Sequence, residues 1–164
     1  MSSPTLLLNE YFLTRLSVNY DFPDTIPNIN VASVNSTFNY EALTHRDDPR
    51  QRQLKVQMEF QELDEKQQKV GYHITCELVG FFTFTDTTPK GQEEIVLRVN
   101  GLNMLYGALR GVFATSLAVF PGGRFSIPNI MPKEIVADIE RQRAEANAKA
   151  KAASEAAESK PANT

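Results

Sequence analysis

The sequence predicts an α+β fold in which a four-stranded antiparallel sheet carries two long helices on one face. Three observations lead to this fold class. Residues 11–84 place apolar side chains at alternate positions in four segments, residues after about 102 place them at steps of three and four, and all the strands precede the helices. A period of two is typical of strands and one of 3.6 is typical of helices. Strands followed by helices favour helices packed on one side of an antiparallel sheet.

Four segments are rich in β-branched, aromatic or alternating apolar residues, and each is bounded by turn-forming or charged residues. They are residues 11–20, 34–42, 54–60 and 70–85. The first stops before Pro23 and Pro27, because each proline lacks the N–H that a central strand must donate. Gly80 interrupts the fourth, where either a β-bulge or a close approach by another part of the chain is the usual reason.

The first helix is predicted from about Leu102 to Val119, where apolar residues recur at helical spacing. Residues 95–99 are ambiguous, since they could begin this helix or form a short extended piece before it. The Pro121-Gly122-Gly123 sequence ends the helix. The second helix begins at Pro132 or Lys133 and runs to about residue 155.

Composition divides the chain into a body, residues 1–132, and a C-terminal helix with a solvated tail, residues 133–164. The second part contains ten alanines, six basic and six acidic residues and no aromatic residue, so the net charge of -3 belongs to the body. Ile135, Val136 and Ile139 can dock one helical turn onto the body. The alanines that follow favour helix but offer nothing large to bury.

Charge and composition exclude several classes of function. A net charge of -3 and a pI near 5.4 provide no basic surface, which argues against a nucleic-acid partner. One cysteine and two histidines cannot make an internal disulfide or a zinc-binding spacing, and we expect no metal and no cofactor. The short apolar run at residues 6–8 predicts neither a signal peptide nor membrane insertion, so we expect a soluble cytoplasmic protein.

No catalytic residues are predicted, and the expected protein is not an enzyme. His73 lies on the polar side of the fourth strand, His45 lies in a charged loop, and Cys76 shares the apolar side with its neighbours. A buried thiol is unreactive because burial raises its pKa. The glycines have neither the GxGxxG nor the Walker spacing that cradles a nucleotide.

Two features remain distinctive. Gly107 and Gly111 lie on one helix face, where each costs about 1 kcal/mol relative to alanine. With Ala114 and Thr115 they form a smooth strip, called here the glycine strip, that either admits another helix in a homo-oligomer or lies on the sheet of its own chain. The second feature is the apolar loop of residues 120–131, which either covers an end of the sheet or borders a groove for an extended peptide.

Several stretches, in this order, resemble segments of the SecB family of protein-export chaperones. They are Arg15-Leu16 with the following DFPDTIPN, Cys76-Glu77-Leu78 through Phe82-Thr83-Phe84, Asn103 to Tyr106 with Leu109-Arg110, and Phe125 to Pro132. The likeness covers about residues 10–140. It implies ATP-independent holding of unfolded or export-competent polypeptides by a homo-oligomer, a dimer or a tetramer.

The resemblance also implies particular sites and partners. Asp21 and Asp24 match the place of the family's acidic contact with the export motor SecA. The family's peptide groove falls where the apolar loop meets the sheet, and the residues expected to line it are Phe120, Phe125, Ile127, Ile130 and Met131, with Phe82 or Phe84 beneath.

Two other functions are compatible with the same residues. SecB-like proteins also serve as dedicated chaperones of toxin-antitoxin systems or other mobile elements, which would make a cognate antitoxin the partner. A different class is a structural or adaptor protein that assembles through its helices and binds no client.

Overall fold

The structure, a computed structural model, describes residues 4–21, 31–119, 125 and 127–158. It confirms the predicted α+β class. The elements in chain order are β1 (Leu6–Asp21), β2 (Ser33–Thr44), β3 (Gln51–Leu63), β4 (Lys69–Phe84), α1 (Glu93–Val96), a π-helical segment (Leu97–Gly101), α2 (Leu102–Ser116), a 3-10 turn (Leu117–Val119) and α3 (Pro132–Glu158).

The four strands form one antiparallel sheet in the order β1-β4-β3-β2. Charged hairpin turns join consecutive strands from β2 to β4, so β3 and β4 lie in the centre, while β1 and β2 are the edges. The ladder between β1 and β4 shifts register between Leu8 and Glu10 and again between Leu13 and Arg15. β1 begins at Leu6, well before residue 11, where the sequence pattern predicted its start, and it continues through both irregularities.

The core lies between one face of the sheet and the helices. Residues 95–99 are helical, so the helical run begins at Glu93 and continues to Val119. The side chains that this run buries against the sheet are Leu97, Leu102, Leu105, Tyr106, Leu109, Phe113 and Leu117. Apart from the adjacent pair Leu105 and Tyr106, these residues follow one another at steps of three to five, which gives the run one apolar face, as predicted for an amphipathic helix.

By length and composition alone, the run Glu93–Val119 is apolar enough to cross a membrane. The core helix of a soluble protein meets the same criterion. Here most of its large apolar residues are buried in the core or packed against it, whereas Ile95 and Val119 are exposed.

Helix α3 is attached to the body by its first three turns. Val136 and Ile139 are buried and Ile135 is partly buried, as predicted. The next turn continues this face with a polar contact, in which the Tyr40 hydroxyl donates a hydrogen bond to the Glu140 carboxylate. Burial, together with this hydrogen bond, raises the pKa of Tyr40 to about 12.

Two guanidinium groups complete the attachment of α3. Arg98 of the π-helical segment lies 3.3 Å from a Glu140 carboxylate oxygen, and Arg143 lies 3.7 Å from the same atom. Both guanidinium groups also lie over the Tyr40 ring, 5.9 and 4.6 Å from its centroid. This cluster, called here the α3 anchor, ties α3 to β2 and to the helical run at once.

Gly80 allows the helical run to approach the sheet. A Cβ at this position would lie 2.7 Å from Leu105 Cδ2 and 2.7 Å from the Phe82 ring. Gly80 pairs in register with Tyr11 and Leu54, with no register shift beside it. Of the two explanations offered by the sequence, close approach therefore applies and a bulge at Gly80 does not.

Replacing Gly80 with alanine should destabilise the protein by about 1–3 kcal/mol, because the added methyl group overpacks a tightly filled core. Urea unfolding measures this change. Thr75→Ala is the matched control, since Thr75 lies on the same strand but on the outer face, and should change the free energy of unfolding by about 0.5 kcal/mol or less. Equal stability of the two variants would contradict the close approach.

Candidate client-binding surface

The segment between the helices is fastened to the core by Phe125. This side chain is buried, and its ring centroid lies 5.8 Å from that of Phe60, 5.7 Å from that of Tyr72 and 6.1 Å from that of Phe113. The three contacts have edge-type geometry, which aromatic pairs favour. Phe125 thus joins β3, β4 and α2 at one end of the sheet.

The accessibility of the predicted groove residues changes along the segment. Ile127 is buried like Phe125, Ile130 is half-buried, and Met131 is 65% exposed. Phe120 lies outside the described residues. Val119, the last described residue before the segment, is 85% exposed. Among the described apolar residues of and beside this segment, the accessible side chains are therefore Ile130, Met131 and Val119, whereas Phe125 and Ile127 are buried in the core.

The structure does not bring Phe82 and Phe84 to this place. Both are buried near the end of β4, whereas the Phe125 ring packs on Tyr72 near the beginning of that strand. Ten residues of strand separate Tyr72 from Phe82, which is roughly 33 Å at the usual rise of a β-strand. Phe60 and Tyr72 occupy the position beneath the segment that the sequence analysis assigned to Phe82 or Phe84.

Two polar contacts fix the course of the chain at residues 128 and 129. The Tyr106 hydroxyl donates a hydrogen bond to the Pro128 carbonyl oxygen, and Arg110 Nη2 donates to Asn129 Oδ1 at 2.9 Å. Burial raises the pKa of Tyr106 to about 12, so it remains a donor at neutral pH. Both residues belong to α2, which therefore orients Ile130 and Met131.

β2 also contributes to this surface, which the sequence pattern did not reveal. The ring centroid of Phe38 lies 6.1 Å from that of Tyr106, and Val34 lies on the same face of the strand. Both side chains are half-buried although they face the helices. The alternation of β2 showed that they share a face, but not that the helices cover this edge only in part.

The glycine strip faces away from the sheet. Gly107, Gly111, Ala114 and Thr115 are all exposed, and a Cβ on either glycine would meet no atom of the described residues within 4 Å. The Thr115 hydroxyl donates back to the Val112 carbonyl oxygen at 2.9 Å. The strip therefore does not lie on the sheet of its own chain, and its role in association stays a prediction.

The outer face of the sheet, opposite the helices, is largely polar. Glu77 accepts hydrogen bonds from Gln57 at 2.9 Å and Thr14 at 2.8 Å, and Lys55 Nζ lies 2.8 Å from its carboxylate. The hydrogen bonds from these three groups lower the pKa of Glu77 to about 2, and the one from Gln57 contributes most. Apolar side chains also occur on this face, since Phe12 is 52% exposed and its ring centroid lies 6.2 Å from that of Phe81.

The expected motor contact lies at the end of β1. Asp21 is the last residue of that strand and is exposed, and it pairs with Gly71 across the ladder. Asp24 lies outside the described residues. The structure therefore places one of the two carboxylates on an accessible edge, and their contact with a partner stays a prediction.

The titratable residues considered for catalysis are placed apart. His73 Nε2 lies 2.9 Å from Glu59 Oε1 on the outer face, whereas His45 accepts a hydrogen bond from the backbone of its own loop. Cys76 is buried, and burial raises the pKa of its thiol to about 12, as the sequence indicated. Among the residues that the structure describes, no three His, Cys, Asp or Glu side chains are grouped as a metal site.

Comparison with solved structures finds a likeness in fold. The fold is similar to that of the SecB-like chaperone Rv1957 of Mycobacterium tuberculosis, whose structure contains a ChAD peptide from the HigA1 antitoxin. The TM-score is 0.50 and the sequence identity is 14%, over 77% of this chain and 92% of the chaperone chain. No protein-family profile and no curated protein sequence matches the chain. The likeness therefore supports the α+β fold, with its four-stranded sheet and two long helices, and leaves the family open.

Burial of the Cys76 thiol predicts a loss of stability at alkaline pH. Its folded-state pKa is about 12 against an ordinary value of 9.0, so above about pH 9 only the unfolded state releases this proton. Stability present below pH 9 is therefore lost as the pH rises toward 12. Urea unfolding between pH 8 and pH 10 should show a smaller decline for Cys76→Ala than for Thr75→Ala. Equal slopes would contradict the burial of the thiol.

Proposed function

We propose that this protein is an ATP-independent holdase that binds unfolded polypeptides in the cytoplasm. The observation that carries the proposal is the pair of accessible apolar residues, Ile130 and Met131, on a segment that Phe125 and Tyr106 hold in place within a SecB-like fold. Apolar side chains of a client gain about 25 cal/mol per Å² of surface that they bury against such a site. Spread over several contacts, this gain suits binding with broad selectivity.

A chaperone dedicated to one antitoxin is the second candidate, because the SecB-like chaperone of similar fold binds an antitoxin peptide. The two functions use the same surface but differ in selectivity. A dedicated chaperone binds one extended segment much more tightly than unrelated unfolded proteins, whereas a general holdase binds many with similar affinity. The export motor stays a further possible partner through Asp21 and Asp24.

Replacing Ile130 and Met131 together with serine should weaken the binding of an unfolded model protein by about tenfold. Each side chain contributes up to about 1.5–3 kcal/mol when a client covers it fully, and about 1.4 kcal/mol corresponds to a tenfold change in Kd. Suppression of aggregation and fluorescence anisotropy measure the effect. The melting temperature should change little, because Met131 is exposed and Ile130 is only half-buried.

The contrasting variant is Phe125→Ala with Ile127→Ala. These residues are buried, so their truncation should lower stability by several kcal/mol, about 3–5 kcal/mol for Phe125 alone. Their effect on client affinity per folded molecule should be smaller than that of the serine variant. Unchanged aggregation suppression by the serine variant would refute the assignment of the groove to this segment.

Self-association through the glycine strip is the expected assembly mode, as a dimer or a tetramer. Leucine at both Gly107 and Gly111 should prevent assembly, because the larger side chains separate the helix backbones. Light scattering at micromolar concentration measures the mass. The control places leucine at Glu145, an exposed residue of α3. A monomeric wild-type protein, or a double variant that assembles normally, would contradict this interface.

A further inference from the structure

The two edges of the sheet differ in regularity. The ladder between β2 and β3 runs from the pair Ser33–Leu63 to the pair Thr44–Arg52 without a register shift, whereas β1 is interrupted twice. Bulges make a strand edge a poor template for another strand, because they displace its backbone groups. The β2 edge contains neither a bulge nor a proline, so it keeps the geometry that strand pairing requires.

The hydrogen bonds of the ladder show which β2 residues face outward. The His45 N–H donates to the Gln51 carbonyl oxygen at 3.1 Å, immediately beyond the last pair of the ladder. In an antiparallel ladder, hydrogen-bonded pairs alternate with pairs that are not bonded. Odd-numbered residues of β2 therefore bond to β3, and even-numbered residues direct their N–H and C=O groups away from the sheet.

Tyr40 confirms this assignment and marks where the open edge ends. Its N–H donates to Asn39 Oδ1 at 2.9 Å rather than to β3, and its carbonyl oxygen accepts a hydrogen bond from Arg143 of α3. The α3 anchor thus occupies the edge at Tyr40. Between Ser33 and Phe38, about 20 Å of strand, no group of the described residues bonds to the outward N–H and C=O of Val34, Ser36 and Phe38.

The side chains of these outward-facing residues border the candidate client-binding surface. Phe38 contacts Tyr106, which in turn bonds to Pro128 of the inter-helix segment. The Ser36 hydroxyl oxygen is buried and has no hydrogen-bond partner among the described residues. A strand added to this edge would therefore place every second side chain against the half-buried apolar surface next to that segment, and the remaining side chains beside Asn35 and Thr37.

We propose that an extended segment of the bound polypeptide pairs antiparallel with β2 from Ser33 to Phe38, as a fifth strand of the sheet. This inference rests on the proposed function and specifies its binding mode. The ligand is a segment with apolar residues at alternate positions and uncharged polar residues between them. A second copy of this chain fits less well, because pairing over six residues buries well below the roughly 1,200 Å² of a stable interface.

The first test uses N-methylated peptides on the wild-type protein. In antiparallel pairing, the peptide residues that exchange hydrogen bonds with Val34, Ser36 and Phe38 lie on the same face of the sheet as these three residues. The apolar residues of the peptide therefore direct their N–H groups at β2. The probe is a short dye-labelled peptide of alternating valine and threonine. N-methylation of its valines should weaken binding about tenfold or more, through loss of two or three hydrogen bonds, and methylation of its threonines should have little effect.

The reverse pattern, with methylated threonines binding weakly, would replace antiparallel by parallel pairing and so overturn the orientation proposed here. Equal affinities of the two methylated peptides would overturn strand addition altogether. Neither result touches the holdase function, since aggregation suppression by the wild-type protein is measured separately. Absence of aggregation suppression, in contrast, would contradict the proposed function itself.

The second test changes the protein at Ser36. Ser36→Pro removes an outward N–H that β3 does not use, which an edge strand tolerates, whereas Ser36→Ala keeps the N–H and removes only the hydroxyl group. We expect the proline variant alone to lose affinity for the unmethylated peptide, by about tenfold. Identical affinities of the two variants would overturn the proposal, as would a change in oligomer mass with peptide affinity intact. If the proline variant does not fold, the N-methyl series still decides.

Discussion

The packing of Phe125 against Phe60, Tyr72 and Phe113 fixes the position of the segment between the helices, and the candidate client-binding surface depends on that position. This one side chain connects the segment between the helices to two central strands and to α2. Without it, the residues that follow would be held by the buried side chain of Ile127 and by the polar contacts of Tyr106 and Arg110. Because buried aromatic contacts are strong and specific in geometry, Ile130 and Met131 are presented at a fixed place rather than on a free loop.

A second constraint acts at the other helix. Tyr40, Glu140, Arg98 and Arg143 form the α3 anchor, in which a buried phenol and three charged groups lie in contact, although Arg98 Nε has no hydrogen-bond partner among the described residues. Glu140 and the two arginines are partly exposed, so water screens their charges and each pair contributes modestly. Their combined effect is geometric, since Arg143 also reaches the Tyr40 carbonyl oxygen and closes the β2 edge at that residue.

Short-range sequence patterns, no longer than one strand or two helical turns, were sufficient to predict the strands and helices. Alternation identified β2, β3 and β4, and the period of three to four identified α2 and the docked face of α3, because both patterns arise from which side of an element is buried. The ambiguous residues 95–99 are helical and divide between α1 and the π-helical segment, which places Leu97 and Gly101 against the sheet. A π-helical segment depends on that tertiary contact, and no short-range pattern announces it.

The candidate surface was predictable only in part for a related reason. Sequence showed that Phe82 and Phe84 share a strand face, but their distance from the inter-helix segment depends on which end of β4 that segment reaches. Phe125 determines which end of β4 the segment reaches, because its ring packs on Phe60 of β3 and Tyr72 of β4. Both partners lie far from Phe125 in sequence. Likewise, the glycines at 107 and 111 are visible in the sequence, whereas the open space around them is not.

The two proposed kinds of recognition meet along β2, and they make different demands on a ligand. Binding to the apolar side chains near the inter-helix segment would strengthen with the apolar area buried and would discriminate little between sequences. A strand edge binds a backbone in the extended conformation. Every unfolded polypeptide can adopt this conformation, whereas a folded one has no free segment to offer. Combining them next to each other would allow the proposed holdase to prefer unfolded chains. The selectivity would then come from conformation rather than from sequence, with the α3 anchor limiting how much of a chain can be paired at one time.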